Sequence, residues 1–99
     1  MTDWETLRAQ VLRDRGIYCE SCGIARWTEL HHCLLHRSVR RPELDCIENL
    51  MGVCSDCHYY GNGYQVRRRF WGAQCERYGA DHMSEWLDGL GLKAPPKFD

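Results

Sequence analysis

Four of the seven cysteines in this 99-residue chain form two C-x-x-C pairs. Cys19 pairs with Cys22 and Cys54 with Cys57, and 31 residues (23–53) separate the pairs. Two thiolates at this spacing can grip one ion from a tight turn, and four thiolates make the closed tetrahedral shell that structural Zn²⁺ prefers. The sequence therefore predicts a structural zinc site built from these four cysteines.

Two other interpretations of the cysteines stay open at this point. The four side chains can be buried without a metal, or Cys33 or His58 can replace one of them in the zinc shell. The remaining cysteines have no partner at ligand spacing and are most simply small apolar core residues; they are Cys33, Cys46 and Cys75. An odd number of cysteines and an N-terminus that lacks the pattern of a secretory signal favour metal binding over disulfides.

A second group of side chains that can do chemistry lies between and after the cysteine pairs: His31, His32, Asn49, His58 and Asn62. Neutral imidazole accepts a proton near physiological pH and binds divalent cations. His58 and Asn62 lie on one face if they share a helix, so they could hold the same ion. Adjacent histidines on a strand face opposite ways, although a twisted or bulged strand end can bring both toward one cleft.

Taken in order, C-x-x-C, His-His, Asn-Leu and C-x-x-C-His resemble the zinc-bearing HNH endonucleases of phages and bacteria, whose ββα-metal core is shared with the nuclease colicins. The resemblance covers about residues 4–63. It implies an enzyme that uses a divalent metal to hydrolyse DNA phosphodiester bonds, by nicking or by double-strand cleavage. The rival interpretation is a non-catalytic zinc-finger module that binds nucleic acid or protein, with the histidines incidental.

The resemblance also implies a role for each member of the second group. His32 matches the general base that activates water, while His31 and His58 match ligands of the catalytic metal. Asn62 stands where some members have another ligand, and Asn49 matches the residue that pins the loop between the strands and orients the base. A donor set without a carboxylate predicts better activity with Mn²⁺ or Ni²⁺ than with Mg²⁺, and Co²⁺ and Zn²⁺ are also candidates.

Periodicity and turn residues predict the helices and strands that carry these side chains. An amphipathic helix is predicted over residues 3–14, started by a capping box of Thr2 and Glu5 and ended by Gly16. Residues rich in β-formers predict a first strand within 26–35, and a short second strand is predicted over residues 49–53.

A short helix is predicted after the second cysteine pair, and Gly61 and Gly63 should end or bend it. Residues 64–78 show partial helical spacing, and 82–88 add a final helical turn.

The fold class is therefore a small α+β zinc-bound domain, with a treble-clef-like ββα-metal core, an N-terminal helix and C-terminal helices. We predict one domain, since so short a chain buries too little surface for two cores: a core over about 4–63, a helical extension over 64–90 and a flexible tail over 91–99.

The formal net charge of −1 does not by itself indicate nucleic-acid binding, so any DNA contacts must come from local clusters of basic residues. Two clusters of arginines are the candidate phosphate contacts: Arg37, Arg40, Arg41, Arg67, Arg68 and Arg69. His36 and His82 are interpreted as packed or surface residues, and His36 could still reach a phosphate.

The sequence contains no run of about 18 apolar residues, so a membrane partner is not expected. We predict a cytoplasmic protein of a bacterial or phage-infected host cell whose partner is DNA. Homodimerisation and a phage or bacterial DNA-processing partner are left open.

Overall fold

The computed structural model describes residues 3–35, 42–60 and 64–91. The chain divides into two compact units, Met1–Asn62 and Gly63–Asp99, which are described separately. The helices and strands are α1 (Trp4–Arg15), β1 (Glu29–His32), a 3₁₀ turn (Pro42–Leu44), β2 (Leu50–Val53), α2 (Ser55–Tyr60), α3 (Tyr64–Tyr78) and α4 (Ala80–Gly89). Several predicted features lie outside the described residues: Thr2, His36, Arg37, Arg40, Arg41, Gly61, Asn62, Gly63 and the tail beyond residue 91.

Helix α1 begins at a different cap from the predicted one. The side chain of Asp3 accepts hydrogen bonds from the backbone N–H groups of Glu5 and Thr6. A short carboxylate satisfies these free donors and also carries the charge that the helix N-terminus favours. The predicted end at Gly16 is confirmed, since this residue adopts a φ of 87° and its N–H bonds to the carbonyl of Leu12.

The two strands pair antiparallel, with Glu29 opposite Val53 and His32 opposite Leu50. Strand β1 is shorter than the predicted segment 26–35 because its flanks have other partners. At one end Arg26 forms a backbone bridge with Tyr18, and at the other the backbone N–H of Leu34 donates to the Asn49 side chain.

The two faces of this sheet are covered by different helices of the first unit. On one face, Trp4 of α1 lies against His32, and Trp27 lies over Gly52 of β2. On the other face, His58 of α2 contacts β1. Strand β2 is buried along its whole length, so it forms the centre of this small core.

A buried ion pair ties α1 to β2. The Arg15 side chain, only 1% exposed, donates to the Glu20 carboxylate at 3.0 Å and to the backbone carbonyls of Ile47 and Leu50. The same carboxylate accepts the backbone N–H of Gly52 at 2.6 Å. A buried charge of this kind is tolerated only when its hydrogen bonds are made, so Arg15 fixes the end of α1 over the sheet.

In the second unit, α3 and α4 pack on each other. Gly79, with a φ of 101°, makes the turn between them and precedes α4 directly. The buried side chains of this unit include Phe70, Gln74, Met83 and Leu87.

The small α+β class is therefore confirmed, with one two-stranded antiparallel sheet and four α-helices among residues 3–35, 42–60 and 64–91. The HNH-specific core stays a prediction. None of the helices in the described ranges combines the length and the apolar character needed to cross a bilayer.

Candidate metal sites

The first cysteine pair lies on a tight turn between α1 and β1. The N–H of Cys19 donates to the carbonyl of Ala25 at 2.7 Å, and the N–H of Gly23 returns to the carbonyl of Cys19 at 2.9 Å. Gly23 has a φ of 72°, a conformation that side chains other than glycine rarely adopt. The turn also aims the N–H groups of Ser21 and Cys22 at the Cys19 sulfur, each at 3.4 Å.

The second pair spans the junction of β2 and α2. Cys54 follows the last residue of β2, and Cys57 lies in the first turn of α2. The backbone N–H of His58 donates to the carbonyl of Cys54 at 2.9 Å, so Cys54 is the residue from which helix α2 starts. The strand and the helix together therefore set the separation of the two sulfurs.

The four sulfurs of Cys19, Cys22, Cys54 and Cys57 all lie within 4.8 Å of one another. The sulfurs of Cys22 and Cys54 are 3.9 Å apart, and a tetrahedral shell with Zn–S bonds of about 2.3 Å has edges of about 3.8 Å. The donor set and its dimensions thus fit a metal ion. In the parts of the chain that the structure describes, no other group of three or more histidines, cysteines or carboxylates is as close.

The thiol pKa values show how the cluster would accommodate charge. Backbone N–H groups of Ala25 and Ile24 lower the pKa of Cys22 to about 6. Burial, followed by contact with the other three sulfurs, raises the pKa of Cys57 to about 12. The Cys22 thiol therefore ionises readily, whereas the Cys57 thiol retains its proton. A bound cation would lower the cost of ionising Cys57.

The remaining cysteines do not join the cluster. Cys33 is buried, and Cys46 and Cys75 are partly buried. Burial raises the pKa of Cys46 to about 12, with the nearby Glu48 carboxylate as the next cause, and burial also raises the pKa of Cys75. The raised pKa values keep the Cys46 and Cys75 thiols neutral at physiological pH, as expected for packing residues.

A pair of imidazoles lies on the face of the sheet that α2 covers. The ring centroids of His31 on β1 and His58 on α2 are 5.4 Å apart, with the planes nearly perpendicular. Glu29, two residues before His31, places Oε2 at 3.2 Å from Nδ1 of His58. The His58 and Glu29 side chains are 46% and 45% exposed, so a ligand can reach them from solvent.

His32 lies on the other face of the sheet, as alternation along a strand requires. Its Nε2 is 2.6 Å from Oδ1 of Asp45, and its ring lies edge-on to Trp4 with centroids 6.1 Å apart. The side chain is only 11% exposed. The structure thus brings His31 and His58 together and gives His32 a separate set of partners.

Asn49 is completely buried and holds the segment after β1 in place. Its Oδ1 accepts the backbone N–H groups of Leu34 and Leu35, at 3.1 and 2.7 Å. Its Nδ2 donates to the carbonyls of Leu35 and Leu44, at 2.9 and 3.1 Å. One side chain therefore joins the end of β1 to the 3₁₀ turn.

The described arginines of the predicted clusters lie on α3 in the second unit. Arg68 and Arg69 are exposed, whereas Arg67 is partly covered and its Nε is buried. His82 is exposed on α4, with its ring 6.3 Å from that of Tyr78.

Two polar residues next to the histidines were not predicted. The position of Glu29 was available from the sequence, because residues two apart on a strand share a face with each other. Asp45 gave no such signal, since it reaches His32 from irregular backbone after the 3₁₀ turn.

Comparison of this chain with protein-family models, with curated proteins and with solved structures finds no match.

Proposed function

We propose that this protein is an HNH-type endonuclease that hydrolyses DNA phosphodiester bonds with a divalent metal held by His31 and His58. The observation that supports it most is the approach of these two imidazoles across the gap between β1 and α2, with ring centroids 5.4 Å apart. Two imidazoles that approach each other from two elements at a solvent-accessible position could hold one cation between them.

The cysteine cluster supports the proposal because it would anchor α2, which carries His58, beside the sheet that carries His31. We assign it as a structural Zn²⁺ site, since four thiolates at tetrahedral spacing suit this metal. Cys57 precedes His58 directly on α2, and Cys54 follows β2 directly. Zinc bound there would fix α2 against the sheet and so fix the distance between His31 and His58.

In the proposed reaction, His31 and His58 would hold a divalent cation, which would supply positive charge to neutralise the scissile phosphate and the leaving oxygen. His32 is the general base that the family resemblance implies; its ring would have to leave Asp45, which lies 2.6 Å from Nε2 on the face opposite His31, before it could take a proton from the attacking water. Asn49 holds the backbone after β1 through four hydrogen bonds and so fixes the strand end that carries His32.

The position of His32 favours the second candidate function, a non-catalytic zinc finger. Its side chain packs with Trp4 and Asp45 on the face of the sheet opposite His31, as a structural histidine would. The two functions therefore differ in what they predict for substitutions at 31, 32 and 58.

A plasmid-nicking assay with added Mn²⁺, Ni²⁺ or Mg²⁺ separates them. If the protein is a nuclease, His32→Ala should slow nicking by about 10²–10⁴-fold, the usual contribution of a general base. His31→Ala and His58→Ala should also abolish metal-dependent cleavage. His82→Ala, on the exposed face of α4, is the matched control and should cleave like the wild type.

Each variant should keep one tightly bound zinc per chain, which shows that the fold persists. Absence of nicking by the wild-type protein with every metal, or undiminished nicking by all three variants, would contradict the nuclease. Loss of nicking in His31→Ala and His58→Ala but not in His32→Ala would retain the metal site and remove His32 as the base.

A further inference from the structure

The contact between Glu29 and His58 occupies one nitrogen of a proposed metal ligand. Oε2 of Glu29 lies 3.2 Å from Nδ1 of His58, close enough for an ion pair. Glu29 and His31 lie on the same face of β1, opposite Val53 and Met51 of β2. The carboxylate therefore approaches His58 from the same strand as its proposed partner ligand.

We propose that Glu29 is a positioning residue of the second metal site. Its carboxylate accepts the Nδ1–H of His58, which holds the neutral ring in the tautomer whose Nε2 is free, and Nε2 is then the atom that binds the cation. Metal-ligating histidines commonly donate their second ring N–H to a carboxylate, and this partner fixes the ring orientation and raises the basicity of the ligand. The inference rests on the proposed function.

Two observations favour this role over direct coordination by Glu29. Among the residues that the structure describes, only the four cysteines form a group of three or more ligand atoms within 4.8 Å of one another, so Glu29, His31 and His58 do not make a ready three-ligand shell. The carboxylate oxygen also lies 3.2 Å from Nδ1, so a proton on Nδ1 could be donated to it while Nε2 binds the metal. The side-chain atoms that bind the metal directly would then both be imidazole nitrogens.

A purely structural role for Glu29 and a role in metal binding predict effects of different size when Glu29 is replaced. Both partners are about half exposed, and an exposed ion pair contributes little to stability. Loss of an outer partner of a metal-ligating histidine, by contrast, typically weakens metal binding about 10–100-fold. Stability and metal affinity should therefore respond very differently to substitution of Glu29.

The tautomer can be measured without the second metal. In zinc-loaded wild-type protein at about pH 8, ¹⁵N NMR of the imidazoles should show the His58 proton on Nδ1. In Glu29→Ala the population should move toward the Nε2–H form, and Glu29→Gln, which keeps an acceptor oxygen, should retain Nδ1–H. A wild-type His58 with its proton on Nε2 would overturn the proposal.

Metal binding provides the second measurement, by calorimetric titration of zinc-loaded protein with Ni²⁺. Glu29→Ala should bind about 10–100-fold more weakly than the wild type, with Glu29→Gln in between and zinc content unchanged. Glu76→Gln removes one exposed carboxylate from α3 and should bind like the wild type. Equal affinity in the wild type and Glu29→Ala would overturn this inference alone, whereas a wild type that binds no second ion would overturn the proposed metal site as well.

Discussion

At the scale of single residues, buried Asn49 makes backbone hydrogen bonds that no apolar side chain could make. Asn49 is 0% exposed, and its amide makes four hydrogen bonds to backbone groups of Leu34, Leu35 and Leu44. These backbone groups sit where the strand has ended and no ladder partner remains. Buried backbone N–H and carbonyl groups need partners, so the side chain replaces the missing strand.

We therefore expect Asn49→Ala to be strongly destabilising. Each buried group left unsatisfied costs about 1–3 kcal/mol, so a total loss of roughly 3–5 kcal/mol is expected after relaxation and entry of water. Urea denaturation at a fixed free zinc concentration measures this loss. Arg13→Ala, at a side chain that is 73% exposed, is the control and should change stability by less than about 0.5 kcal/mol. A change of under about 1 kcal/mol for Asn49→Ala would show that these bonds are not needed.

At the scale of elements, Trp27 packs closely against Gly52 of β2, on the face of the sheet where α1 lies. A Cβ atom added there would lie 2.8 and 2.9 Å from ring atoms of Trp27. The ring cannot move freely, because its Nε1 donates to the Gly16 carbonyl at 2.8 Å and Arg8 lies over its face.

Gly52→Ala should therefore destabilise the first unit by about 1–3 kcal/mol, the usual cost of overpacking. Gly72→Ala is the matched control, because a Cβ at this position of α3 meets nothing within 4 Å. That change should stabilise the protein by roughly 0.5–1 kcal/mol, since alanine is the better helix former. Thermal denaturation of both variants gives the two signs, and a Gly52→Ala variant as stable as the wild type would contradict the contact.

Helix α3 supplies the described arginines that are candidates for phosphate contacts. Arg68 and Arg69 are exposed, whereas Arg67 is partly covered, so Arg68→Ala with Arg69→Ala tests the charge with little disturbance of packing. If both contact phosphates, binding to any DNA sequence should weaken, and the slope of log affinity against log salt should fall by about 2. Fluorescence anisotropy over a salt series measures the slope, and an unchanged slope would remove this helix from the DNA interface.

The elements of the fold were largely predictable, whereas the partners of individual side chains were less so. The cluster of Cys19, Cys22, Cys54 and Cys57 followed from spacing alone, because a C-x-x-C turn has few geometries. The end of β1 was misplaced, because it depends on the side chain of Asn49 from a distant part of the chain. The buried pairing of Arg15 with Glu20 gave no periodic signal, since it depends on where two turns meet in space.

At the scale of the whole molecule, the first unit has a small core whose parts are connected by the cysteine cluster. The two pairs join the turn after α1 to the junction of β2 and α2, which are far apart in sequence. A domain of this size seldom gains more than about 3–5 kcal/mol from its apolar core. Zinc bound by thiolates is worth about 10–16 kcal/mol in small domains, so metal binding should decide whether the first unit folds.

Removal of one ligand should therefore unfold the first unit. In Cys57→Ser the four-sulfur shell is broken, and we expect weaker zinc binding, loss of the near-ultraviolet circular dichroism of Trp27 and Trp4, and loss of the sulfur-to-cobalt charge-transfer absorption that the wild type shows with Co²⁺. Cys75→Ser changes a partly buried thiol outside the cluster and should keep both signals. Excess chelator should reproduce the Cys57→Ser spectrum in the wild type, and zinc should reverse it. A wild type whose spectrum is unaffected by the chelator would show that the apolar core and the Arg15 network suffice, and the metal would then be an addition to a fold that forms without it.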